Sequence, residues 1–235
     1  MHHSMAQIEV RFGIEEARAT TTERYNIAPT QTVPIVGQTD SIEGDGARFL
    51  EMMQWGLIPS WAKEAGLGRK IINARAETLA EKPAFKPALA RRRCILPADG
   101  FYEWTTEAGV RQPIHIRRKD GELFGFAGLW EEWKQPDGTP LRTCTIITTS
   151  PNTIMAPIHD RMPAILLPED EETWLNVALN KPADVLRLLR PYPTELMEAY
   201  PVDRRVNIPT VDDSDLLNSV QLSIGRDYRL ANQTT

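Results

Sequence analysis

The sequence predicts an α+β fold: a single domain with a central, mostly antiparallel, barrel-like β-sheet flanked by short helices. Segments rich in β-branched and aromatic residues outnumber helical patterns, and the two do not alternate regularly along the chain. Eighteen prolines and fourteen glycines divide the 235 residues into many short elements. No repeat, low-complexity tract or long Gly/Ser linker divides the chain, so we expect one domain over residues 5–235.

Seven segments have the composition of β-strands, and three have helical patterns. The predicted strands are Val33–Val36, Leu50–Gly56, Ile114–Arg117, Leu123–Leu129, Thr143–Thr149, Ala164–Leu167 and Ser219–Ile224. The predicted helices are Ala6–Ala17, a segment from Pro168 through Ala178, and Pro182–Arg190. The second of these helices begins with proline and four acidic residues, which the helix dipole favours at an N-terminus.

The charge distribution is uneven. A net charge of −5 argues against a general nucleic-acid coat, yet twelve basic and five acidic residues fall between positions 69 and 119. Such a local basic surface can hold a polyanion, although a solvated face has the same composition. The sequence lacks both the apolar run of about 20 residues that spans a bilayer and a secretory signal. We therefore expect a cytoplasmic protein without membrane contact.

Cysteine and histidine are scarce. Cys94 and Cys144 are too few for a disulfide scaffold, and their apolar contexts predict buried, reduced thiols. The four histidines are His2, His3, His115 and His159. The first two belong to residues 1–4, which are typical of an expression-tag remnant. Only two histidines remain in the predicted domain, so we expect neither a metal nor another cofactor.

Several common enzyme motifs are missing from the sequence. It contains no P-loop, no dinucleotide-binding Gly-x-Gly-x-x-Gly, no zinc-binding His-Glu-x-x-His and no Gly-x-Ser-x-Gly nucleophile elbow. Nucleotide hydrolysis, nicotinamide redox chemistry, zinc proteolysis and α/β-hydrolase chemistry are therefore not indicated.

Polar residues occur instead within apolar or turn-rich segments. An alternating segment would place Asn73, Arg75 and Glu77 on one strand face. Glu103 stands among aromatic residues, which would desolvate its carboxylate and raise its pKa towards neutrality. His159 is flanked by an acid and a base, in the order Ile-His-Asp-Arg-Met-Pro. Each of these residues also has an ordinary structural interpretation, so their combination carries the argument.

Seven segments occur in a distinctive order. They are RYNIAPTQ (24–31), WGLIPSWA (55–62), INARAET (72–78), FKPALARRRCILPADGFYEW (85–104), FAGLWEEW (126–133), TIITTSPN (145–152) and IHDRMP (158–163). Together they resemble the SOS-response-associated peptidase (SRAP) family, the abasic-site processing proteins. The resemblance covers about residues 25–163.

The resemblance implies an enzyme of the SOS and DNA-damage response that recognises abasic sites in single-stranded DNA. Members trap the site as a covalent thiazolidine crosslink, through a cysteine that self-removal of the initiator methionine exposes. The implied catalytic residues are Asn73, Glu103 and His159. The implied DNA-binding residues are Asn26, Pro29, Trp61, Arg75, Thr148 and Arg161. Abasic single-stranded DNA is the implied partner, no cofactor is implied, and we expect a monomer that associates with the nucleoid when bound to DNA.

The N-terminus departs from the family pattern, which begins Met-Cys-Gly-Arg-Phe. Residue 2 is histidine, and no cysteine precedes Cys94. An α-amine, with a pKa of about 8, can attack an aldehyde at neutral pH. A thiol on the next carbon then closes the five-membered ring, so only an N-terminal cysteine supplies both groups. We interpret the start as tag-replaced or misassigned, and expect no crosslinking from the chain as written.

Two other functions stay open. The first is a non-covalent module of the same fold that binds lesions in single-stranded DNA. The second is a hydrolase that uses Glu103 and His159 on a peptide or a small molecule, and its turnover would not depend on DNA.

Overall fold

The computed structural model describes residues 1–39, 46–107, 109–179 and 181–221. These residues form twelve β-strands and four α-helices. The strands are β1 Glu16–Ala17, β2 Thr32–Gln38, β3 Arg48–Trp55, β4 Asn73–Arg75, β5 Arg93–Ala98, β6 Phe101–Glu107, β7 Val110–Arg118, β8 Phe124–Lys134, β9 Pro140–Thr149, β10 Met162–Pro163, β11 Ile165–Leu166 and β12 Met197–Pro201. The helices are α1 Met5–Phe12, α2 Lys86–Arg91, α3 Pro168–Leu175 and α4 Pro182–Leu186.

Five strands close into a barrel. Strands β3, β2, β5, β8 and β9 pair in that order, each antiparallel to the next. A parallel pairing of β3 with β9, Gln54 opposite Thr143 and Trp55 opposite Cys144, joins the two ends of the series. The α+β class and the barrel-like, mostly antiparallel sheet predicted from the sequence are therefore confirmed.

Both faces of the barrel strands are buried, which the alternation of β5 illustrates. Cys94 and Leu96 point into a core shared with a second, three-stranded sheet of β6, β7 and β12. Ile95 points the other way, into a core shared with the four helices. Cys94 and Cys144 are fully buried free thiols, and burial raises the pKa of each, as their apolar contexts predicted.

A buried arginine connects the helices to the barrel. Arg93, at the start of β5, donates from its guanidinium to the backbone carbonyls of Leu89, Trp174 and Asn176. Burial lowers its pKa to about 10, so the cation is still retained at neutral pH. Because carbonyl oxygens replace its water shell, this side chain fixes α2 and α3 against the sheet.

All three predicted helices are shorter than expected. The first ends at Phe12 because Gly13 takes a left-handed conformation, φ 60°, and residues 16–17 instead form β1 beside β3. The second ends at Leu175 rather than Ala178, and the third at Leu186 rather than Arg190.

The predicted strand Ser219–Ile224 lies partly outside the described residues, which end at 221. Its first residue forms an isolated antiparallel bridge to Val202. Within the part of the chain that the structure describes, no helix combines the length and apolar character needed to cross a bilayer.

Candidate functional site

Glu103 lies on β6, with its side chain half-buried. Burial raises the pKa of this carboxyl group above its ordinary value, and the nearby imidazole of His159 opposes part of that increase. The sequence predicted both the desolvation and its direction. A carboxyl group whose pKa is raised above its ordinary value is suited to general acid–base chemistry.

His159 lies in the loop between β9 and β10, and 44% of its side chain is exposed. Its Nδ1 accepts a hydrogen bond from the backbone N–H of Arg161 at 3.0 Å, and Asp160 Oδ1 lies 3.2 Å from the same nitrogen. When Nδ1 acts as the acceptor, the neutral ring carries its proton on Nε2. That proton is then available to a ligand on the side facing away from the loop.

Strand β4 brings Asn73 and Arg75 to the same end of β9. Asn73 pairs with Ile146 and Arg75 pairs with Thr148, in parallel register. Both side chains are exposed while Ala74 between them is buried, so the predicted common face of these two residues is confirmed. Among the described residues, Asn73 forms no hydrogen bond to Glu103 or His159.

Glu77 does not share that face, so this prediction was wrong. Strand β4 ends at Arg75, and residues 76–78 turn into a 3-10 helix. The Glu77 carboxylate accepts two hydrogen bonds from Arg161, at 2.7 and 2.9 Å, and these lower its pKa. Arg161 also donates to the carbonyl of Thr148 at 2.5 Å. The Arg161 guanidinium is therefore already engaged, and Thr148 itself is buried.

The side chain of Asn26 is buried and makes hydrogen bonds within the protein. Its side chain is 6% exposed, and the amide nitrogen lies 3.0–3.1 Å from the carbonyls of Val206, Ile208 and Val211. Through its amide nitrogen, Asn26 ties residues 24–30 to the C-terminal segment, and the DNA contact that the resemblance implied for this residue stays a prediction. Pro29, three residues later, is exposed at the tip of that turn.

Two residues that the sequence did not single out hold this region together. Asp212 accepts backbone hydrogen bonds from Tyr25 and Asn26 and pairs with Arg24. Tyr102, on β6, donates its hydroxyl proton to the Tyr25 carbonyl at 2.9 Å. Tyr102, which is next to Glu103 in the sequence, thus anchors the turn that bears Pro29. No local motif indicates contacts between segments so far apart.

The chain's first residues lie against Asp99, which directly precedes the strand of Glu103. The Met1 side chain is 3% exposed, its α-amine lies 3.4 Å from Asp99 Oδ1, and the His2 N–H donates to Oδ2 at 2.6 Å. Burial alone would raise the pKa of Asp99, but the α-ammonium and the His2 N–H bring it below its ordinary value. Ser4 then caps α1.

Among the described residues, one group could supply metal ligands: side-chain atoms of His2, His3 and Asp99 lie within 4.8 Å of one another. The same carboxylate is already paired with the α-ammonium and with a backbone N–H. These partners satisfy the buried charge without a metal ion.

The acid–base pair opens onto the surface. A cavity of about 490 Å³ is present in the described structure, but Arg117, Glu198 and Tyr200 line it, and none of the predicted site residues does. A half-buried carboxylate on the three-stranded sheet, beside an exposed imidazole in the loop between β9 and β10, defines an α+β protein with an open acid–base site. Such a site suits part of a large ligand better than an enclosed small molecule.

Residues 1–209 match the family model described as SOS response associated peptidase, SRAP. The chain belongs to the SRAP family, as its motifs predicted. It is 48% identical to the abasic site processing protein YoqW of Bacillus subtilis over 197 residues, 83% of this chain and 85% of that protein. It is 32% identical to the abasic site processing protein HMCES of Gallus gallus over 232 residues, 87% of this chain and 68% of that protein.

Solved structures share the fold. A protein from Bacteroides thetaiotaomicron matches with a TM-score of 0.83 and 31% identity, over 94% of this chain and 98% of that one. A protein from Bordetella bronchiseptica matches with a TM-score of 0.72 and 23% identity, over 86% and 97%.

Proposed function

We propose that this chain recognises abasic sites in single-stranded DNA, and that it crosslinks to them when a cysteine follows the initiator methionine. One observation carries the proposal: at an open surface, the half-buried carboxyl of Glu103 lies near enough to the exposed imidazole of His159 for the imidazole to oppose the rise of its pKa. The relatives named abasic site processing proteins support the same substrate.

The DNA strand would contact the exposed residues around this pair. Arg75 is exposed and forms no ion pair with any described residue, so its guanidinium is available to a phosphate. Trp61 is 60% exposed and can stack on a base next to the lesion. Pro29 can wedge where a base is missing, because an abasic position is already unstacked. Arg161 would reach a phosphate only after releasing Glu77.

The crosslinking reaction needs two groups at the N-terminus. The α-amine adds to the aldehyde of the ring-opened abasic sugar, and loss of one water gives a Schiff base. The neighbouring thiol adds to the C=N bond, its proton passes to nitrogen, and a thiazolidine closes. Glu103 would move protons at the amine and at the departing oxygen, His159 Nε2–H would donate to the sugar oxygen, and Asn73 would orient the amine.

Self-removal of the initiator methionine would use the same carboxylate. Glu103, as a general base, would take a proton from water as it adds to the first peptide carbonyl, and would return that proton to the departing amine.

The substitution His2→Cys tests the proposal. We expect the variant, incubated with a single-stranded oligonucleotide that carries an abasic site, to give a heat-stable adduct on a denaturing gel. The matched control His2→Ser keeps a small residue and the α-amine but has no thiol, so it should give no heat-stable adduct. Absence of an adduct from the His2→Cys protein would contradict crosslinking.

A second candidate is non-covalent lesion binding. It is favoured by the pairing of the α-ammonium with Asp99 and with the Arg24 carbonyl, which would keep this amine from attacking an aldehyde in the chain as written. In the same experiment, the unaltered chain would then retain abasic DNA under native conditions and lose it on denaturation.

A further inference from the structure

The turn that bears Pro29 contains a residue in an unusual backbone conformation. Thr30 has φ 74°, and it is the one non-glycine residue with a positive φ in the part of the chain that the structure describes. The N–H of Gln31 donates to the carbonyl of Ala28 at 3.2 Å, which closes a tight turn around the two residues between them. A proline followed by a residue of positive φ is the pattern of a type II turn, whose third position normally holds glycine or asparagine. Because threonine branches at Cβ, this conformation is strained.

Hydrogen bonds on both sides hold the turn in this strained conformation. The side-chain oxygen of Gln31 accepts from the N–H of Ala28 at 3.1 Å and from Arg24 at 3.0 Å. The N–H of Thr30 donates to the carbonyl of Trp55 at 2.8 Å, and the N–H of Trp55 donates to the carbonyl of Gln31 at 2.9 Å. Backbone strain persists only where the surroundings over-determine the conformation, and these bonds do so here.

The same turn is connected to the neighbours of two candidate site residues. The indole N–H of Trp55 donates to the carbonyl of Ile72 at 2.8 Å, and Asn73 follows directly at the start of β4. From the other side, the hydroxyl of Tyr102, next to the candidate acid on β6, donates to the carbonyl of Tyr25 at 2.9 Å. The position of the turn relative to the candidate site is therefore fixed by direct hydrogen bonds.

The side chain of Thr30 is not used within the protein. It is exposed beside the exposed Pro29, and its hydroxyl has no hydrogen-bond partner among the described residues. Glycine would take the same backbone conformation without strain, so the fold gains nothing from a branched side chain at this position. Strained residues cluster at positions that bind ligands. The strain therefore indicates that the Thr30 side chain has a partner outside the chain.

We propose that Thr30 distinguishes an abasic nucleotide from an intact one. The inference rests on the proposed function and adds to it the residue that determines specificity for the lesion. In its closed form, an abasic deoxyribose carries a hydroxyl group on C1′, where an intact nucleotide carries its base. The Thr30 hydroxyl forms a hydrogen bond with that group, and the branched side chain occupies space that a base would need. The hydrogen bonds that fix the turn prevent the side chain from moving aside for a base.

The test measures the affinity of the unaltered chain and of Thr30→Gly for three fluorescent single-stranded oligonucleotides of one sequence, by anisotropy. The first carries an abasic site, the second a tetrahydrofuran analogue without the C1′ hydroxyl, and the third an intact nucleotide at that position. We expect the unaltered chain to prefer the abasic site to both others. Thr30→Gly should lose about fivefold of the preference over the analogue, as loss of one neutral hydrogen bond predicts. It should also bind the intact strand more tightly than the unaltered chain does.

Two further variants serve as controls. Thr30→Ser keeps the hydroxyl and should retain the preference for the abasic site over the analogue. Thr22→Gly removes another exposed threonine and should leave the three affinities unchanged. Thermal unfolding separates this role from a structural one. Thr30→Gly should unfold at a higher temperature than the unaltered chain, because glycine relieves the strain, whereas loss of a structural threonine would lower stability together with binding.

The outcomes separate the two proposals. An unchanged preference for the abasic site in Thr30→Gly would overturn the role of Thr30 and leave the proposed function standing. An equal loss of preference in Thr30→Ser would also overturn that role, since the hydroxyl would then not be responsible. A lower unfolding temperature for Thr30→Gly would contradict the strain on which the inference depends. Equal affinity of the unaltered chain for abasic and intact strands would overturn both proposals.

Discussion

At the scale of single residues, Glu103 illustrates how reactivity and stability oppose each other. Its ionised form is penalised by burial, so the folded protein binds a proton there more readily than the unfolded chain does. At neutral pH the ionised carboxylate therefore lowers the free energy of unfolding, and the nearby imidazole of His159 opposes only part of the shift in its pKa. A structural glutamate would more commonly be exposed or paired with a cation.

We predict that Glu103→Gln raises the free energy of unfolding at pH 7, because the amide has no charge to bury. As the pH falls through the raised folded pKa, the native carboxyl group of the parent takes up its proton. The stability gained by the substitution then declines. The gain should disappear below the ordinary value of 4.5. Urea unfolding across pH 4–8 measures this difference.

The exposed Glu122 supplies the control for this prediction, because Glu122→Gln removes the same charge without any change in burial. Its effect on stability should vary little with pH. A Glu103→Gln protein less stable than the parent at pH 7 would contradict the account.

At the scale of elements, the sequence predicted the strands that alternate or are rich in β-branched residues. Strands β2, β3, β7, β8 and β9 all fall at predicted segments, with ends that differ by up to five residues. Strand β5 was missed because Arg93 and Pro97 interrupt its apolar pattern. A buried arginine that is satisfied by backbone carbonyls looks, in the sequence, like a surface residue.

The candidate site was predictable only in part, for a similar reason. The alternation in residues 72–78 correctly placed Asn73 and Arg75 together. Nothing in that alternation reports that the strand stops at Arg75 and releases Glu77 to pair with Arg161, which lies 84 residues away. For Asn26, the contacts that decide its role come from residues 180 to 185 positions distant. Local pattern contains no information on such partners.

The close approach of Gly56 to the backbone of Gly68 gives a prediction at this scale. A Cβ built on Gly56 would lie 2.4 Å from the carbonyl oxygen of Gly68, and Gly56 has φ 131°. Gly56→Ala should lower the free energy of unfolding by about 2–4 kcal/mol, because the new Cβ meets a backbone oxygen and the positive φ disfavours a side chain. Urea denaturation measures the loss.

Gly66, in the same segment between β3 and β4, provides the comparison. A Cβ at this position meets no atom within 4 Å and its φ is not positive, so Gly66→Ala should change stability by less than about 1 kcal/mol. Equal effects of the two substitutions would contradict the role of the close approach.

At the scale of the whole molecule, the C-terminal segment holds the turn that bears Pro29. Asp212 accepts two backbone N–H groups from this turn, and those bonds keep its pKa below the ordinary 3.8 although burial acts in the opposite direction. A carboxyl with a lowered folded pKa adds stability above its unfolded pKa, and this contribution is lost as pH falls through the folded pKa.

We expect Asp212→Asn to lower the free energy of unfolding at pH 7 by about 1–3 kcal/mol, as loss of charge-assisted hydrogen bonds predicts. The difference from the parent should shrink as the pH falls below 3.8, where the unfolded chain takes up its proton, and should vanish once the native carboxyl is also protonated at its lowered pKa. Thermal unfolding at pH 7 and pH 3 measures both. A difference of the same size at the two pH values would show that the charge is not responsible.

The parallel pairing of β3 with β9, which closes the barrel, has a consequence for biosynthesis. It joins Gln54 and Trp55 to Thr143 and Cys144, about 90 positions further along. A ribosome that makes the chain from its N-terminus must add β9 before the ring can close. Until then β1 covers the edge of β3 only at Phe49 and Leu50, and the end at Gln54 and Trp55 is an unprotected template for other strands. The nascent chain is therefore most prone to aggregation between the synthesis of these two segments, and a holdase chaperone would act in that interval.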